Sequence, residues 1–175
     1  MSSVARYHFV TDVEVAAAPD PVWDVLVDVP GSAAWWRQVR RAEVLTPGGE
    51  DGLGRRYRLD FRTALPYTIG FEAETTRISR PTVWETRIVG ELEGIGRYEL
   101  TPVAGGTRLR HLWLVGTTKP WMNAFAPLAR PAFAWNHGVL MRAFATGLAG
   151  RLGVPLRFAG VFQVRPGEAG FGETG

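Results

Sequence analysis

The chain has 175 residues, enough for one domain with a sizeable core, and its 46% hydrophobic and 21% charged residues are ordinary for a globular protein. It has no cysteine, which excludes a disulfide framework and a thiolate metal site and suits a reducing cytoplasm, where we expect the protein to reside. The net charge of +3 is carried almost entirely by arginine. Because acidic residues are interleaved and no nucleic-acid motif occurs, we expect a solvated basic face and no nucleic-acid partner.

Neither a targeting segment nor a membrane segment is expected. Residues 1–15 contain no apolar run followed by a small-residue cleavage site, so the sequence predicts no secretory signal. No uninterrupted apolar stretch reaches the length that spans a bilayer, so we expect no stable membrane insertion.

The first predicted elements are a strand and two short helices. Apolar residues alternate over 7–16, which predicts a half-buried strand. Its inward parity carries Tyr7, Phe9, Val13 and Val15. Asp20 is a typical N-cap and a proline follows it, which predicts a helix over 21–27. The Pro-Gly pair at 30 and 31 ends that helix, and a second short helix is expected over 33–36.

Six further strands are expected before the next helix. Period-two alternation, interrupted by short turns rich in Gly and Pro, predicts an antiparallel meander. The predicted strands are 39–46, 55–62, 65–75, 83–89, 95–103 and 107–118. In the strand over 83–89 we place Trp84, Thr86 and Ile88 inward.

A change of period from two to about 3.6 predicts a long helix over 121–152. Pro127 and Pro131 indicate that its regular part begins near Pro131. Its apolar stripe, which should lie on the sheet, consists of Ala126, Ala129, Phe133, His137, Leu140, Met141, Phe144 and Leu148.

Strands and helices are segregated along the chain, which indicates the α+β class. We expect one domain, residues 1–152, followed by a Gly-rich tail, residues 153–175. Within that tail, residues 154–165 either add a strand or are disordered, and the sequence leaves both alternatives open.

Several short motifs occur in a fixed order. The first ones are Val13-x-Val15, then Pro21-Val22-Trp23-x-x-Leu26-x-Asp28-Val29, then Trp35-Trp36. The later ones are Gly94-x-Gly96-Arg97-Tyr98-x-Leu100-x-Pro102, Gly105-Gly106-Thr107-Arg108-Leu109, Trp135-Asn136-His137-x-x-x-Met141 and Gly147-Leu148. With these motifs, residues 7–152 resemble the START-like (SRPBCC) superfamily, in its polyketide cyclase/dehydrase-like branch.

This resemblance implies the helix-grip fold, an α+β architecture in which a curved antiparallel sheet of about seven strands wraps around a long C-terminal helix. Two short helices follow the first strand. In this superfamily the sheet and the long helix enclose a cavity that holds lipids, hormones, polyketides or other hydrophobic ligands. Because a fold does not fix a function, the function has to be argued from the side chains of the site.

Two histidines are the candidate catalytic residues. His137 lies on the helix stripe and should point at the sheet, and His111 shares parity with Leu109 and Trp113 on the strand over 107–118. If that parity faces the helix, the two imidazoles line one cavity from opposite walls and could serve as acid and base for an aldol cyclisation and dehydration. The alternative is a polar pair that organises the core.

A cluster of aromatic side chains forms the candidate ligand-binding wall. Aromatic rings suit a flat, ring-bearing ligand, although they are equally at home in an ordinary core. The candidates on the sheet are Tyr67, Trp84, Tyr98 and Trp113, and those on the helix are Phe133, Asn136 and Met141. Asn136 has a structural alternative, the capping of a sheet carbonyl. Trp35 and Trp36 either form the pocket mouth or cover one end of the sheet.

The outer sheet face carries two further expectations. Arg97 falls on the outward parity beside Tyr98 and should lie at the surface. Leu112 and Leu114 also fall outward, where an apolar strip would need either a dimer contact or cover from the C-terminal tail. A homodimer is therefore one expectation.

The sequence contains none of the common nucleotide-binding, zinc-hydrolase or serine-nucleophile motifs, so we expect no metal and no cofactor. Three functions stay open. The first is binding of a hydrophobic or aromatic small molecule, the second is polyketide cyclase/dehydrase-like catalysis, and the third is a protein-interaction module. An apolar wall with isolated polar groups favours the first, polar groups paired at about 3 Å favour the second, and a filled interior favours the third.

Overall fold

A curved sheet and one long helix make up most of the computed structural model, which describes residues 6–119 and 126–165 and, over 126–129, the backbone alone. The strands are β1 (Arg6–Val15), β2 (Val39–Thr46), β3 (Arg56–Arg62), β4 (Thr68–Ser79), β5 (Val83–Gly90), β6 (Leu92–Val103), β7 (Gly106–Thr117) and β8 (Leu156–Gln163). The helices are α1 (Pro19–Val27), a 3-10 helix (Pro30–Ala34) and α2 (Ala126–Leu152).

The eight strands form one antiparallel sheet in the order β2-β3-β4-β5-β6-β7-β1-β8. Sequential hairpins account for β2 to β7, and β1 then pairs with the far edge of that meander along its whole length. The long helix packs on the concave face of the sheet. This is the α+β helix-grip fold that the sequence predicts.

The tail supplies the eighth strand. Of the two alternatives for residues 154–165, the structure has the strand, because β8 pairs with β1 from Phe9 to Val15. The sheet therefore has one strand more than the expected seven. Residues 166–175 of the tail and residues 121–125 of the predicted helix lie outside the described residues.

Two helix boundaries differ from the sequence prediction. Helix α1 begins at Pro19, so Asp20 lies in the first turn and Ala18 occupies the cap. Both Pro19 and Pro21 fit the first turn, because its backbone N–H groups have no partner within the helix. The second short helix is a 3-10 helix that begins at Pro30, not a helix over 33–36.

The expected start of regular helix near Pro131 is wrong, because α2 is helical from Ala126 and contains Pro131. A proline there removes one backbone hydrogen bond. Packing of the following turns against the sheet offsets that loss, since Met141, Phe144 and Leu148 are all buried. The side chains of Ala126 and Ala129, at the start of the predicted stripe, lie outside the described part of the chain.

The solid part of the core lies beneath the second half of α2. There Ala145 and Leu148 pack against α1 and the sheet, whose Val13, Val15 and Leu109 are fully buried. Each of these strand residues has the parity that alternation predicts, since side chains point to opposite faces in turn.

Ion pairs between neighbouring strands cover the outer face of the sheet. They include Arg110–Asp12, Arg108–Glu14, Arg56–Glu72, Arg87–Glu74 and Arg97–Glu85. Arg97 points outward as predicted, but its side chain is only 14% exposed because Glu85 and Glu99 flank it. The exposed pairs among them contribute little stability each. They do account for much of the arginine on this face.

Leu112 is buried whereas Leu114 is half-buried, so the expected apolar strip is only partly open to solvent. Across the sheet its row continues through Val10 of β1 to Phe162 of β8. The tail strand thus adds Phe162 to the end of this apolar row. The rings of Phe158 and Phe162 remain exposed on the same face. None of the helices in the described part of the chain is long and apolar enough to cross a membrane.

Candidate functional site

A cavity of about 160 Å³ lies between the concave face of the sheet and the first half of α2. The floor is formed by β3 to β7 and β1, and the 3-10 helix and the residues after it close one side. Helix α2 contributes Phe133, Asn136, His137, Leu140, Met141 and Phe144. The cavity thus adjoins the solid core at Phe144 and extends from there along α2 towards its N-terminus.

Strand register brings His111 into a row of stacked rings. Trp84 pairs with Tyr98, and Tyr98 pairs with His111, on the three neighbouring strands β5, β6 and β7. The Trp84 and Tyr98 rings stack with centroids 5.5 Å apart, and those of Tyr98 and His111 stack at 4.2 Å. Thr75 fixes the far end of the row, since its Oγ1 accepts a hydrogen bond from the Trp84 Nε1–H at 3.1 Å.

The next row of the sheet contains a glycine that makes room for a ring. Gly96 pairs with Trp113, which in turn pairs with Phe9 of β1. A methyl group at Gly96 would lie 3.0 Å from the Trp113 ring, closer than ordinary contact. The Trp113 side chain therefore lies over Gly96 and forms part of the cavity floor.

The helix places His137 opposite these rows. Its imidazole stacks on the Phe9 ring, with centroids 4.2 Å apart and planes inclined by 13°. One turn earlier, Phe133 meets the rings of Tyr7 and Tyr67 edge-on at 5.7 Å and 6.5 Å. Rings from α2, β1 and the β3–β4 connection thus close the cavity on the helix side.

Several polar atoms of the wall are buried without a partner. Neither ring nitrogen of His111, nor Nε2 of His137, nor the Tyr7 hydroxyl has a hydrogen-bond partner among the residues that the structure describes. A neutral imidazole carries one N–H donor and one acceptor nitrogen, so His111 offers both functions. Buried polar groups in folded proteins are rarely left unpaired, and such exceptions need an explanation.

Both imidazoles are neutral at physiological pH. Burial, and to a smaller extent the proximity of His137, lowers the pKa of His111 to about 3. Burial alone lowers the pKa of His137 to about 3. Burial acts in the opposite direction on the phenols, raising the pKa of Tyr67 to about 12 and that of Tyr98 still higher.

Two hydrogen bonds attach α2 to the rest of the wall. Asn136 Oδ1 accepts a hydrogen bond from the Ala64 backbone N–H at 2.8 Å, which holds the β3–β4 connection against the helix. The Trp36 Nε1–H donates to the Leu140 carbonyl at 3.1 Å. Asn136 thus has a structural contact, but it is a bond to a loop N–H and not the expected cap of a sheet carbonyl, and the residue also lines the cavity.

Every residue predicted for the site lines this one cavity. The sheet contributes Tyr67, Trp84, Tyr98, His111 and Trp113, and the helix contributes Phe133, Asn136, His137 and Met141. Trp35 and Trp36 line it as well. Whether these side chains bind a ligand or act in catalysis is a separate question from their position.

Sequence reasoning missed Tyr7 and Ser32 as site residues. Both line the cavity, and each has a hydroxyl oxygen that is buried without a partner in the described chain. Alternation in β1 could have identified Tyr7, because it shares the inward parity of Phe9. Ser32 had none, since it lies in the 3-10 helix that the prediction started too late.

A helix-grip fold with an aromatic cavity defines a class of small-molecule-binding architecture. Residues 6–153 match the family model described as polyketide cyclase / dehydrase and lipid transport. The match covers most of the chain, and the chain therefore belongs to this family. A comparison with curated protein sequences gives no match.

Solved structures with the same fold are distant in sequence. The Zhui aromatase/cyclase from Streptomyces sp. R1128 is 20% identical with a TM-score of 0.69, over 85% of this chain and 94% of that one. A START superfamily protein from Mycobacterium smegmatis is 19% identical with a TM-score of 0.68, over 83% and 97%. The di-domain ARO/CYC StfQ from the steffimycin biosynthetic pathway is 16% identical with a TM-score of 0.61, over 83% of this chain and 51% of that one. At these identities the likeness establishes the fold.

Proposed function

We propose that the protein binds a hydrophobic, ring-bearing small molecule, a lipid or a polyketide-like compound, in the cavity between the sheet and α2. The observation that carries this proposal is a cavity of about 160 Å³ with aromatic walls and unpaired imidazole nitrogens. An engineered apolar cavity of about 150 Å³ binds benzene, so this volume suits a molecule of one or two rings.

An ordinary hydrophobic core would contain neither a void of this size nor unpaired polar groups. Protein interiors are packed like organic crystals, with few voids larger than a water molecule. A buried polar group without a partner costs roughly 1–3 kcal/mol, and both His111 and His137 carry such groups. A ligand that fills the space and bonds to the imidazoles removes both costs.

Polyketide cyclase/dehydrase-like catalysis is the second candidate, favoured by the proximity of the two imidazoles. One would remove a proton from a carbon between two carbonyls, and the other would protonate the oxygen of the carbonyl whose carbon the carbanion attacks. Loss of that hydroxyl and a second proton as water completes the dehydration. A base works best with a pKa near the operating pH. Because burial lowers both histidine pKa values to about 3, binding ranks first.

The wall itself also favours binding over catalysis. His111 makes no hydrogen bond to any described residue, His137 included, so the two imidazoles do not form a preassembled acid–base pair. The cavity also argues against an interaction module, for which a filled interior is the expected sign. A homodimer stays a prediction.

Native mass spectrometry of the purified protein, followed by organic extraction, tests the proposal. We expect an added mass that is lost on collisional activation and recovered as a hydrophobic compound. In parallel, the stripped protein should take up the neutral dye N-phenyl-1-naphthylamine with a rise in fluorescence. Failure of both measurements would overturn the binding proposal.

A variant that fills part of the cavity tests whether the dye binds there. Ala73 is buried and lines the cavity, whereas Ala33 is exposed. Ala73→Leu should weaken dye binding roughly tenfold or more, because the added methyl groups occupy ligand space. Ala33→Leu adds the same atoms at the surface and should leave the dye affinity unchanged. Equal effects of the two variants would place the dye elsewhere.

A further inference from the structure

The cavity wall carries no charged side chain among the described residues. Its polar groups are hydroxyls, the Asn136 amide, two indole N–H groups that donate to the protein, two further indoles and two imidazoles. Arg130 lies outside, with its guanidinium carbon 6.0 Å from the centre of the Tyr7 ring, and its side chain is exposed. The wall therefore offers no fixed cation to a buried anion.

The imidazoles do not supply a cation either. Both are neutral, since burial strongly disfavours their protonated forms. At neutral pH each presents one donor and one acceptor, and His111 has both available. Placing a carboxylate here would bury a charge without a partner of opposite sign, which is far more costly than burying a neutral hydroxyl.

We propose that the ligand is uncharged and carries a hydroxyl group, a phenol or an enol, which exchanges hydrogen bonds with the imidazoles of His111 and His137. A hydroxyl both donates and accepts, so it fits a neutral imidazole in either tautomer. The stacked row of Trp84, Tyr98 and His111 offers an aromatic surface beside that hydroxyl. This inference rests on the proposed binding function and specifies the chemistry of the ligand.

Three probes with one carbon skeleton test it: 2-naphthol, naphthalene and 2-naphthoate. Each is titrated against bound N-phenyl-1-naphthylamine at pH 7.5, where a phenol is neutral and a carboxylic acid is ionised. We expect 2-naphthol to bind roughly tenfold tighter than naphthalene, because a buried hydrogen-bonding site rejects a partner that lacks the polar group. 2-Naphthoate should bind at least roughly tenfold weaker than naphthalene.

The pH dependence of binding distinguishes the effect of the probe's charge on affinity from the effect of its shape. Binding of 2-naphthoate should strengthen about tenfold for each pH unit down to pH 5, since the wall accepts the protonated acid. Binding of 2-naphthol should be constant over the same range. Tight binding of 2-naphthoate at pH 7.5 would overturn the inference.

Three histidine variants test which side chains recognise the hydroxyl group of 2-naphthol. His111→Phe and His137→Phe should bring 2-naphthol within about threefold of naphthalene, because an aromatic ring without nitrogen cannot bond to the hydroxyl. His8 lies on the outer face of β1, so His8→Phe should preserve the full preference. A preference that survives both cavity variants would contradict the inference while leaving the binding function intact. If the dye and all three probes fail to bind and native mass spectrometry shows no added mass, the binding function itself is wrong and this inference is wrong with it.

Discussion

His111 is the residue at which stability and function are expected to oppose each other. Its ring is 3% exposed, stacks on Tyr98 and leaves both nitrogens without a partner in the described chain. The stacking needs only an aromatic ring, whereas the nitrogens contribute nothing to the folded state that the structure shows. Selection for folding alone would favour a hydrocarbon ring at this position.

We therefore predict that His111→Phe does not destabilise the ligand-free protein. The free energy of unfolding at pH 7.5, measured by urea denaturation, should stay the same or rise by about 1 kcal/mol, because an unpaired polar group is removed. The slightly larger ring can extend into the cavity. Leu148→Ala, at a fully buried position of the solid core, should by contrast lose about 2–5 kcal/mol. A loss above about 1 kcal/mol in His111→Phe would show that the imidazole has a structural role.

Two of the glycines in helix α2 have surroundings that differ sharply. A methyl group on Gly147 would collide with the backbone carbonyl oxygen of Trp35, whereas one on Gly150 would meet nothing within 4 Å. Gly147 thus allows the helix to approach the chain at Trp35, next to the cavity wall. Both glycines lie in the same helix, so the intrinsic preference for alanine over glycine is the same at both positions.

Substituting each glycine by alanine tests this close approach. Gly150→Ala should raise the free energy of unfolding by about 0.5–1 kcal/mol, because alanine loses less backbone entropy in a helix. Gly147→Ala should lower it by roughly 1–3 kcal/mol, since the helix must shift away from Trp35. Thermal and urea unfolding give both values. A stabilising Gly147→Ala would mean that the helix does not approach Trp35 so closely in solution.

At the scale of the whole molecule, the buried histidines couple stability to pH. Burial lowers the pKa of His111 and of His137 from an ordinary 6.5 to about 3. Between these values the unfolded chain binds protons that the folded protein excludes. Stability is therefore complete above pH 6.5 and is lost as the pH falls towards 3.

We expect the free energy of unfolding to fall between pH 6.5 and pH 5, approaching about 1.4 kcal/mol per pH unit for each of the two histidines. The double variant His111→Phe/His137→Phe should lose most of this slope. A small slope should remain, because partial burial and Arg6 also lower the pKa of His8. Urea denaturation at several pH values measures the slope. Equal slopes in wild type and double variant would show that the imidazoles are not buried as neutral groups.

The candidate site illustrates what could be predicted locally. Trp84, Tyr98, His111 and Trp113 were assigned to the inward face by alternation, and Phe133, His137 and Met141 by helical spacing. All of them line the cavity, because parity within one strand or one helix depends only on the regular geometry of that element. The signal fails where the backbone is irregular, as at Ser32 in the 3-10 helix.

The sequence by itself determined the α+β class, the segregation of sheet and long helix, and which residues of one element share a face, since these follow from short-range periodicity. Which of the two faces of the strand over 107–118 meets the helix stayed open. Tertiary structure alone decided the rest. The stacking of Phe9 on His137, the pairing of β8 with β1 and the partnerless nitrogens of His111 all depend on contacts between distant segments. Periodicity indicates which face of an element is buried. Only the packing of all the elements together determines whether that face meets another side chain or borders a cavity.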